Sequence, residues 1–474
     1  MRKPLFFFLL CLPLRLAADG LPDLGDVAQT AVTPQMEQQI GEQSMFQIRA
    51  SERYLDDAEL TDYLNHLGAR LVSYSSEPNQ PFEFFLIEDG SINAFALPGG
   101  FIGVNTGLIL LAQNESELAS VLSHEISHVT QHHLARMVAG QQYDSLAAMA
   151  TVAVAILAAR NNPQASTAAI VGAQGGMLQR QLDFTREHEQ EADRVGLALL
   201  HRAGYDTRAM PAFFQRMQQA TQIQEGGAPS WLRTHPLTSE RVADVDSRVQ
   251  QIPYRLVPDS LDFQLMRARI QARQGGAREA VLHFQQAVGT QRYGNPLAQR
   301  YGLVLALLRD GQAAQARREF LPLAQALPAN ATVTTLEGQI KRALGEPDTL
   351  DFYAKAIKQH PGYRALAYDY ADLLLEAGRQ REALALLEAQ LVHNENDPRL
   401  YELQARAYAA LGRQQEAHHA LSYYHILHGR LLAAIEQLEL AQRAGHDYYQ
   451  LSTIEAELKH YRAILDALRE RRKK

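Results

Sequence analysis

The sequence predicts an α-rich α+β fold, a helical first half with a small β-sheet, followed by an all-α repeat array. Three observations carry this. Apolar residues recur at helical spacing along most of the 474 residues, as in DDAELTDYLNHLGARLV. The stretch PFEFFLIEDGSINAFALPGGFIGVNTGLILLA breaks that rhythm, alternating apolar and small residues around Asp89-Gly90 and Pro98-Gly99-Gly100, and predicts three short strands with tight turns. From about residue 258, Gly275, Gly311, Gly345, Gly378 and Gly412 fall 36, 34, 33 and 34 residues apart, a period of stacked helix pairs.

The chain begins MRKPLFFFLLCLPLRLAADG. Arg2 and Lys3, an apolar run and the small pair Ala17 and Ala18 predict a secretory signal, residues 1–18, removed after Ala18. The only cysteine, Cys11, lies inside it, and Leu10 stands where a lipoprotein signal takes a small residue, which argues against a lipid-modified cysteine. Residues 19–252 and 253–474 are the two expected domains. A formal charge of -7 with both signs interspersed, and no basic block before the RERRKK tail, argues against nucleic acid as a partner.

Residues 35–73 read as two helices and residues 81–112 as the strands. Asn114 or Ser116 then caps a helix expected to run to about Met137. LAAMATVAVAILAA at 146–159 has 14 residues, too few to span a bilayer, and reads as a buried or lid helix. With breaks at Pro163 and Gly172 to Gly176, the segment 140–176 is expected to be mobile, and a long helix follows from about 178 to 203. In the array, small residues recur seven before the glycine (Ala268, Gly338, Ala371, Ala405) and alanine five after it (Ala280, Ala316, Ala383, Ala417). This is the register of tetratricopeptide repeats. The Gly345 unit, with Pro347 and Leu350 against the pattern, should be irregular, and Gly429, 17 residues after Gly412, implies a shared helix before a terminal one at about 447–471.

HEISH, residues 124–128, carries the chemistry. On a helix His124 and His128 lie one turn apart on one face, spaced to hold one metal ion, and Glu125 stands beside them to take a proton from the attacking water and return it to the leaving amine. A catalytic zinc site needs a third protein ligand. The metzincin position, ten residues after His124, is Leu134, whereas EHEQEADRVG places Glu189 and Asp193 four apart on one helical face. Glu189 is then a candidate ligand, and Asp193 a candidate hydrogen-bond partner for a ligand histidine. His132, nearly on the face of His128, is a conceivable further ligand, and His188 is expected to be exposed.

HEISH, EQEAD and NAFALPGGFIGVNTGLI together resemble the zinc metallopeptidase family of the CAAX prenyl endopeptidases and HtpX, over roughly residues 35–250. The resemblance implies a zincin-type metallopeptidase domain holding one Zn2+ per chain on His124, His128 and Glu189, with Glu125 as general base. The family's histidine-proline motif is matched by RTHPLTSER, which implies that His235 stabilises the oxyanion or approaches the metal and that Arg241 braces the site. An extended peptide is expected to add a strand along the edge Phe95 to Val104, with Asn93, Ala94 and Phe95 offering backbone partners.

An exported member with a tetratricopeptide array implies, by the same resemblance, a periplasmic enzyme at the outer membrane. Its expected partners are unfolded or misfolded outer-membrane proteins and the β-barrel assembly machinery, with peripheral contact to the membrane itself. Two functional readings follow: a zinc endopeptidase that degrades misfolded outer-membrane proteins and assists barrel assembly, or chiefly a chaperone or scaffold whose zinc site is latent. Intact Glu125 favours the first, because a scaffold has no use for a base beside zinc.

Overall fold

A computed structural model describes residues 32–139, 186–223, 230–290, 294–445 and 447–471. The expected signal and the 140–176 segment lie outside these residues. Two helices open the described chain, α1 (Pro34–Arg49) and α2 (Ala58–Val72), each entered through a side-chain cap, Thr33 and Asp57. Three strands follow: β1 (Glu83–Ile87), β2 (Ala94–Leu97) and β3 (Phe101–Asn105). The sheet order is β1-β3-β2, so β3 is central, parallel to β1 and antiparallel to β2. Gly99 and Gly100, at φ 79° and 86°, turn the chain from β2 into β3.

The end of the apolar stretch departs from the expected strands, because Thr106–Leu111 forms a short helix, α3. A buried run such as TGLILL has no amphipathic rhythm, so spacing alone does not separate strand from helix there. The next helix, α4 (Glu115–Thr130), carries HEISH. Its cap is Asn114, whose side chain accepts from the Glu117 amide at 3.0 Å, while the Glu117 carboxylate accepts from the Gln113 amide at 2.9 Å. The predicted single helix to Met137 is interrupted. His132 adopts φ 50°, and a separate helix, α5 (His133–Ala139), resumes after it.

Helices α6 (Arg186–Arg202), α7 (Ala209–Ile223), α8 (Ser230–Thr234) and α9 (Ser239–Gln251) complete this half. α6 lies against α4 and crosses it closely at Gly196, where an added Cβ would stand 3.1 Å from the His124 backbone nitrogen. Leu118, Leu122 and Ile126 of α4 pack with Leu197 and Leu200 of α6 and Phe213 of α7 in one buried core, which holds the two helices in register.

The array comprises α10 (Leu261–Arg273), α11 (Ala277–Thr290), α12 (Pro296–Arg309), α13 (Ala313–Ala326), α14 (Ala331–Leu344), α15 (Thr349–Gln359), α16 (Arg364–Glu376), α17 (Gln380–Leu391), α18 (Pro398–Ala410), α19 (Gln414–Leu427), α20 (Leu431–Ala444) and α21 (Tyr448–Arg471). All five periodic glycines and Gly429 take positive φ, from 61° to 76°, at the turns between helices. The alanines five residues on are buried. At Gly338 an added Cβ would stand 2.5 Å from the Tyr353 ring, so the small position exists to admit the neighbouring aromatic. The Gly345 unit is irregular as expected, α15 having 11 residues against 14 in α11 and α13. Past Gly412, α19 packs against both α18 and α20, the shared helix that the short spacing implied.

Part of the array's polar surface is occupied by the chain itself. α2 rests against α10 and α16, and its acidic start meets their cations. Arg269 Nε donates to both Asp57 oxygens at 3.0 Å and also pairs with Glu59. The Tyr363 hydroxyl donates to Glu59 at 2.6 Å, and Arg364 bridges Asp62 at 2.9 Å and Asp397 at 2.8 Å. Burial pushes the Glu59 carboxyl upward against the pull of Arg269. Such a network stabilises little relative to an apolar contact, but it is costly to break by halves. Arg269→Met, which strands Asp57 and Glu59, is expected to lower unfolding free energy by about 3 kcal/mol, read as a fall in the denaturation midpoint in urea.

Candidate metal centre

α4 presents His124 and His128 on its inner face, and the close crossing at Gly196 brings Glu189 and Asp193 of α6 opposite them. The loop after α8 adds His235, whose amide donates to the Trp231 carbonyl at 2.7 Å. One ligand-type atom from each of His124, His128, Glu189 and His235 lies within 4.8 Å of the others, and all four side chains are buried. The Nε2 atoms of His124 and His128 are 3.0 Å apart. Glu189 Oε1 stands 3.4 Å from His128 Nε2 and 2.9 Å from His235 Nδ1, and its Oε2 stands 3.5 Å from His124 Nε2. Of the expected ligands and their neighbours, these four converge on one point.

Asp193 meets the other side of His124, its Oδ1 3.0 Å from Nδ1. Arg241 then grips both acids. Its Nε and Nη2 donate to the two Asp193 oxygens at 2.7 and 2.9 Å, its Nη1 lies 2.7 Å from Glu189 Oε2, and the same Nη1 donates to the Pro236 carbonyl at 2.9 Å, tying the His235 loop to α6. Glu125 lies beside the cluster, 3.7 Å from His235 Nε2. The Trp231 indole N–H donates to Glu125 Oε1 at 3.0 Å, leaving Oε2 buried with no hydrogen-bond partner among the described residues.

Trp231 also stacks on His235, with ring centroids 5.1 Å apart. Sequence reasoning passed over it, although it is the only tryptophan and stands four residues before His235. His132 turns away from the cluster to Glu77, at 3.1 Å, because its left-handed backbone ends α4. His188 does not lie free on the surface; it stacks on the buried His133 at 4.6 Å.

The substrate edge needs correction. β3 is central, so Phe101 to Val104 form no edge; the outer strands are β1 and β2, and Phe95 lies on β2. The Asn105 amide donates to the Asn93 carbonyl, and antiparallel alternation therefore turns the backbone groups of Asn93, Phe95 and Leu97 toward β3. Of the three expected residues only Ala94 turns its amide and carbonyl away from β3, and it is fully buried; Ala96, with the same orientation, is partly exposed.

Comparison with known proteins bears on what this site does. The profile of peptidase family M48 matches residues 58–249, and that of the tetratricopeptide repeat matches 335–407. The beta-barrel assembly-enhancing protease of Escherichia coli K12 is 35% identical over 428 residues, 90% of this chain and 87% of that protein. The chain belongs to peptidase family M48. A putative beta-barrel assembly-enhancing protease of Vibrio cholerae is 36% identical over 86% of this chain and 85% of its own length. The mitochondrial metalloendopeptidase OMA1 of Schizosaccharomyces pombe is 30% identical over 39% of this chain and 52% of that protein.

As an M48 member the chain is a metalloendopeptidase, and its buried cluster fits a metal ion. Three carboxylates, Glu125, Glu189 and Asp193, face one buried guanidinium, so with neutral imidazoles the site carries an uncompensated negative charge that a dication balances. The titration of the ligand-type groups agrees. Burial works to lower His124, but the Asp193 and Glu189 carboxylates outweigh it and lift the ring to about 9, while burial pushes His128 down to about 3. Burial raises the Glu189 carboxyl, yet His235, His124 and His128 together hold it well below the usual range. The carboxylates of the cluster thus favour positive charge beside them.

Trp231→Phe keeps the packing and removes only the donor to Glu125. Losing a hydrogen bond to a charged group, worth about 1.5–3 kcal/mol, is expected to lower kcat at least tenfold while metal content, read by elemental analysis, stays unchanged.

Proposed function

We propose that this chain is a periplasmic zinc metalloendopeptidase that hydrolyses misfolded or stalled outer-membrane proteins and also assists β-barrel assembly. The convergence of His124, His128, Glu189 and His235 on one buried point, with Glu125 alongside, carries the proposal. The names of the full-length relatives, which are assembly-enhancing proteases, support the substrate class. Export rests on the signal at 1–18, and among the described residues no helix is long and apolar enough to cross a membrane. In this reading residues 19–252 form the peptidase domain and 253–474 the repeat domain that docks the β-barrel assembly machinery at the outer membrane.

His124, His128 and Glu189 hold the ion. Two imidazoles and a carboxylate suit zinc. A zinc ion there supplies Lewis acidity for peptide-bond hydrolysis at neutral pH. Glu125, held by the Trp231 indole through Oε1, keeps Oε2 ready to take the proton of the attacking water and pass it to the leaving amine. Asp193, clamped by Arg241, fixes the His124 ring so that Nε2 faces the cluster. The extended substrate adds to β2 through the outward backbone of Ala96, which is partly exposed. Main-chain recognition of this kind tolerates many sequences, as a quality-control enzyme requires.

His235 lies close enough to Glu189 and His124 to act as a fourth ligand, and as one it would stand in the way of substrate. The resting enzyme is therefore latent, and displacement of His235 activates it. The same placement favours the second reading, in which the chain acts chiefly as a chaperone or scaffold for barrel assembly.

With unfolded casein as substrate, Glu125→Gln is expected to keep its zinc and lose at least about 100-fold in activity, whereas His235→Ala cleaves faster than the wild type. If all three bind zinc, none cleaves, and the chain still binds barrel precursors, the scaffold reading replaces the protease.

A further inference from the structure

The sequence EQEAD holds one acid that the site described above does not use. Glu191 lies between Glu189 and Asp193, and its Oε2 is 3.1 Å from His133 Nε2 and 2.9 Å from Arg136 Nη1. His133 is wholly buried, and its Nδ1 is 2.8 Å from His128 Nδ1. On an unbroken helix, His133, five residues after His128, would sit about 140° around the axis from it. The left-handed backbone of His132 ends α4 and turns the chain so that the His133 ring meets the back of His128.

The hydrogen-bond directions along this chain follow from Glu191. A carboxylate only accepts, so His133 carries its proton on Nε2 and donates to Glu191. To offer a metal its Nε2 lone pair, His128 must carry its proton on Nδ1, and at 2.8 Å the His133 Nδ1 lone pair accepts it. The neutral His128 ring is thereby left with its lone pair on Nε2, the atom that faces His124 and Glu189. Arg136 fixes Glu191 from its outer side, and the His188 ring stacks on His133 with an interplanar angle of 16°, limiting its rotation.

We propose that His133 and Glu191 are positioning residues that set the tautomer and orientation of His128 for metal binding. The inference rests on His128 being a metal ligand, as proposed above. It makes the two ligand histidines equivalent in support: Asp193 backs His124 directly, and Glu191 backs His128 through one intervening imidazole. One helix segment, EQEAD, then supplies the carboxylate ligand and the anchors of both histidines.

The test uses the full mature chain, stripped of metal, with cobalt(II) titrated against a competing chelator. Glu191→Gln replaces the obligate acceptor with an amide that also donates, so both tautomers of His133 are accommodated. Cobalt affinity is expected to fall ~10–100-fold, and the d–d absorption bands of the bound ion to shift, with the thermal transition of the metal-free protein unchanged. His133→Asn should act in the same direction. Because His133 is fully buried, the partly exposed Glu191 decides the matter if that variant does not fold. His128→Ala separates the two readings. If it binds cobalt as the wild type does, His128 is no ligand and both readings fall. If it loses cobalt while Glu191→Gln keeps wild-type affinity and spectrum, the ligand assignment stands and the positioning role is overturned.

Discussion

The close crossing of α4 and α6 at Gly196 is the constraint on which the rest of the site depends. A Cβ there would stand 3.1 Å from the His124 nitrogen, so even alanine would require the two helices to give by a few tenths of an ångström. Glu189, Asp193 and Glu191 reach the histidines because each lies within two turns of that contact. The apolar seam of Leu122, Ile126, Leu197 and Leu200 pulls the helices together, and the carboxylates are buried by apolar packing rather than by their own attractions.

Burying that much negative charge explains the company the acids keep. Arg241 is among the largest fully buried side chains, and its fork spans Asp193, Glu189 and the Pro236 carbonyl. The arginine therefore couples charge balance to the placement of the His235 loop. Trp231, on the same short segment, connects that loop to Glu125. His235 is thus mechanically linked to Glu125, since stacking joins its ring to the indole that holds the carboxylate.

The parts legible in the sequence were those set by local geometry. Four-residue spacing on a helix put His124 with His128 and Glu189 with Asp193, and the recurring glycines marked turns whose positive φ other residues resist. What escaped depends on tertiary approach. Glu191 and His133 meet only because His132 breaks a helix with neither glycine nor proline to signal it. The outward face of β2 is set by its pairing with β3, whose central place in a mixed sheet is not written in the strand's own residues. Asp57, Glu59 and Asp62 read as the ordinary acidic start of a helix, although their cationic partners lie far along the chain.

That distance bears on the order of events during synthesis. The groups that build the metal centre are all translated by Arg241, but Glu59 meets Tyr363 across 304 residues and Asp62 meets Arg364 across 302. The half that carries the site is made before the helices that neutralise its acidic collar. Until those helices arrive, Asp57 has only its cap to the Leu60 amide, and Glu59 and Asp62 lack the arginines that pair with them. A chain ending before Tyr363 therefore lacks a partner of Glu59 and the Arg364 partner of Asp62, and the first helices are completed only by the array folding back onto them.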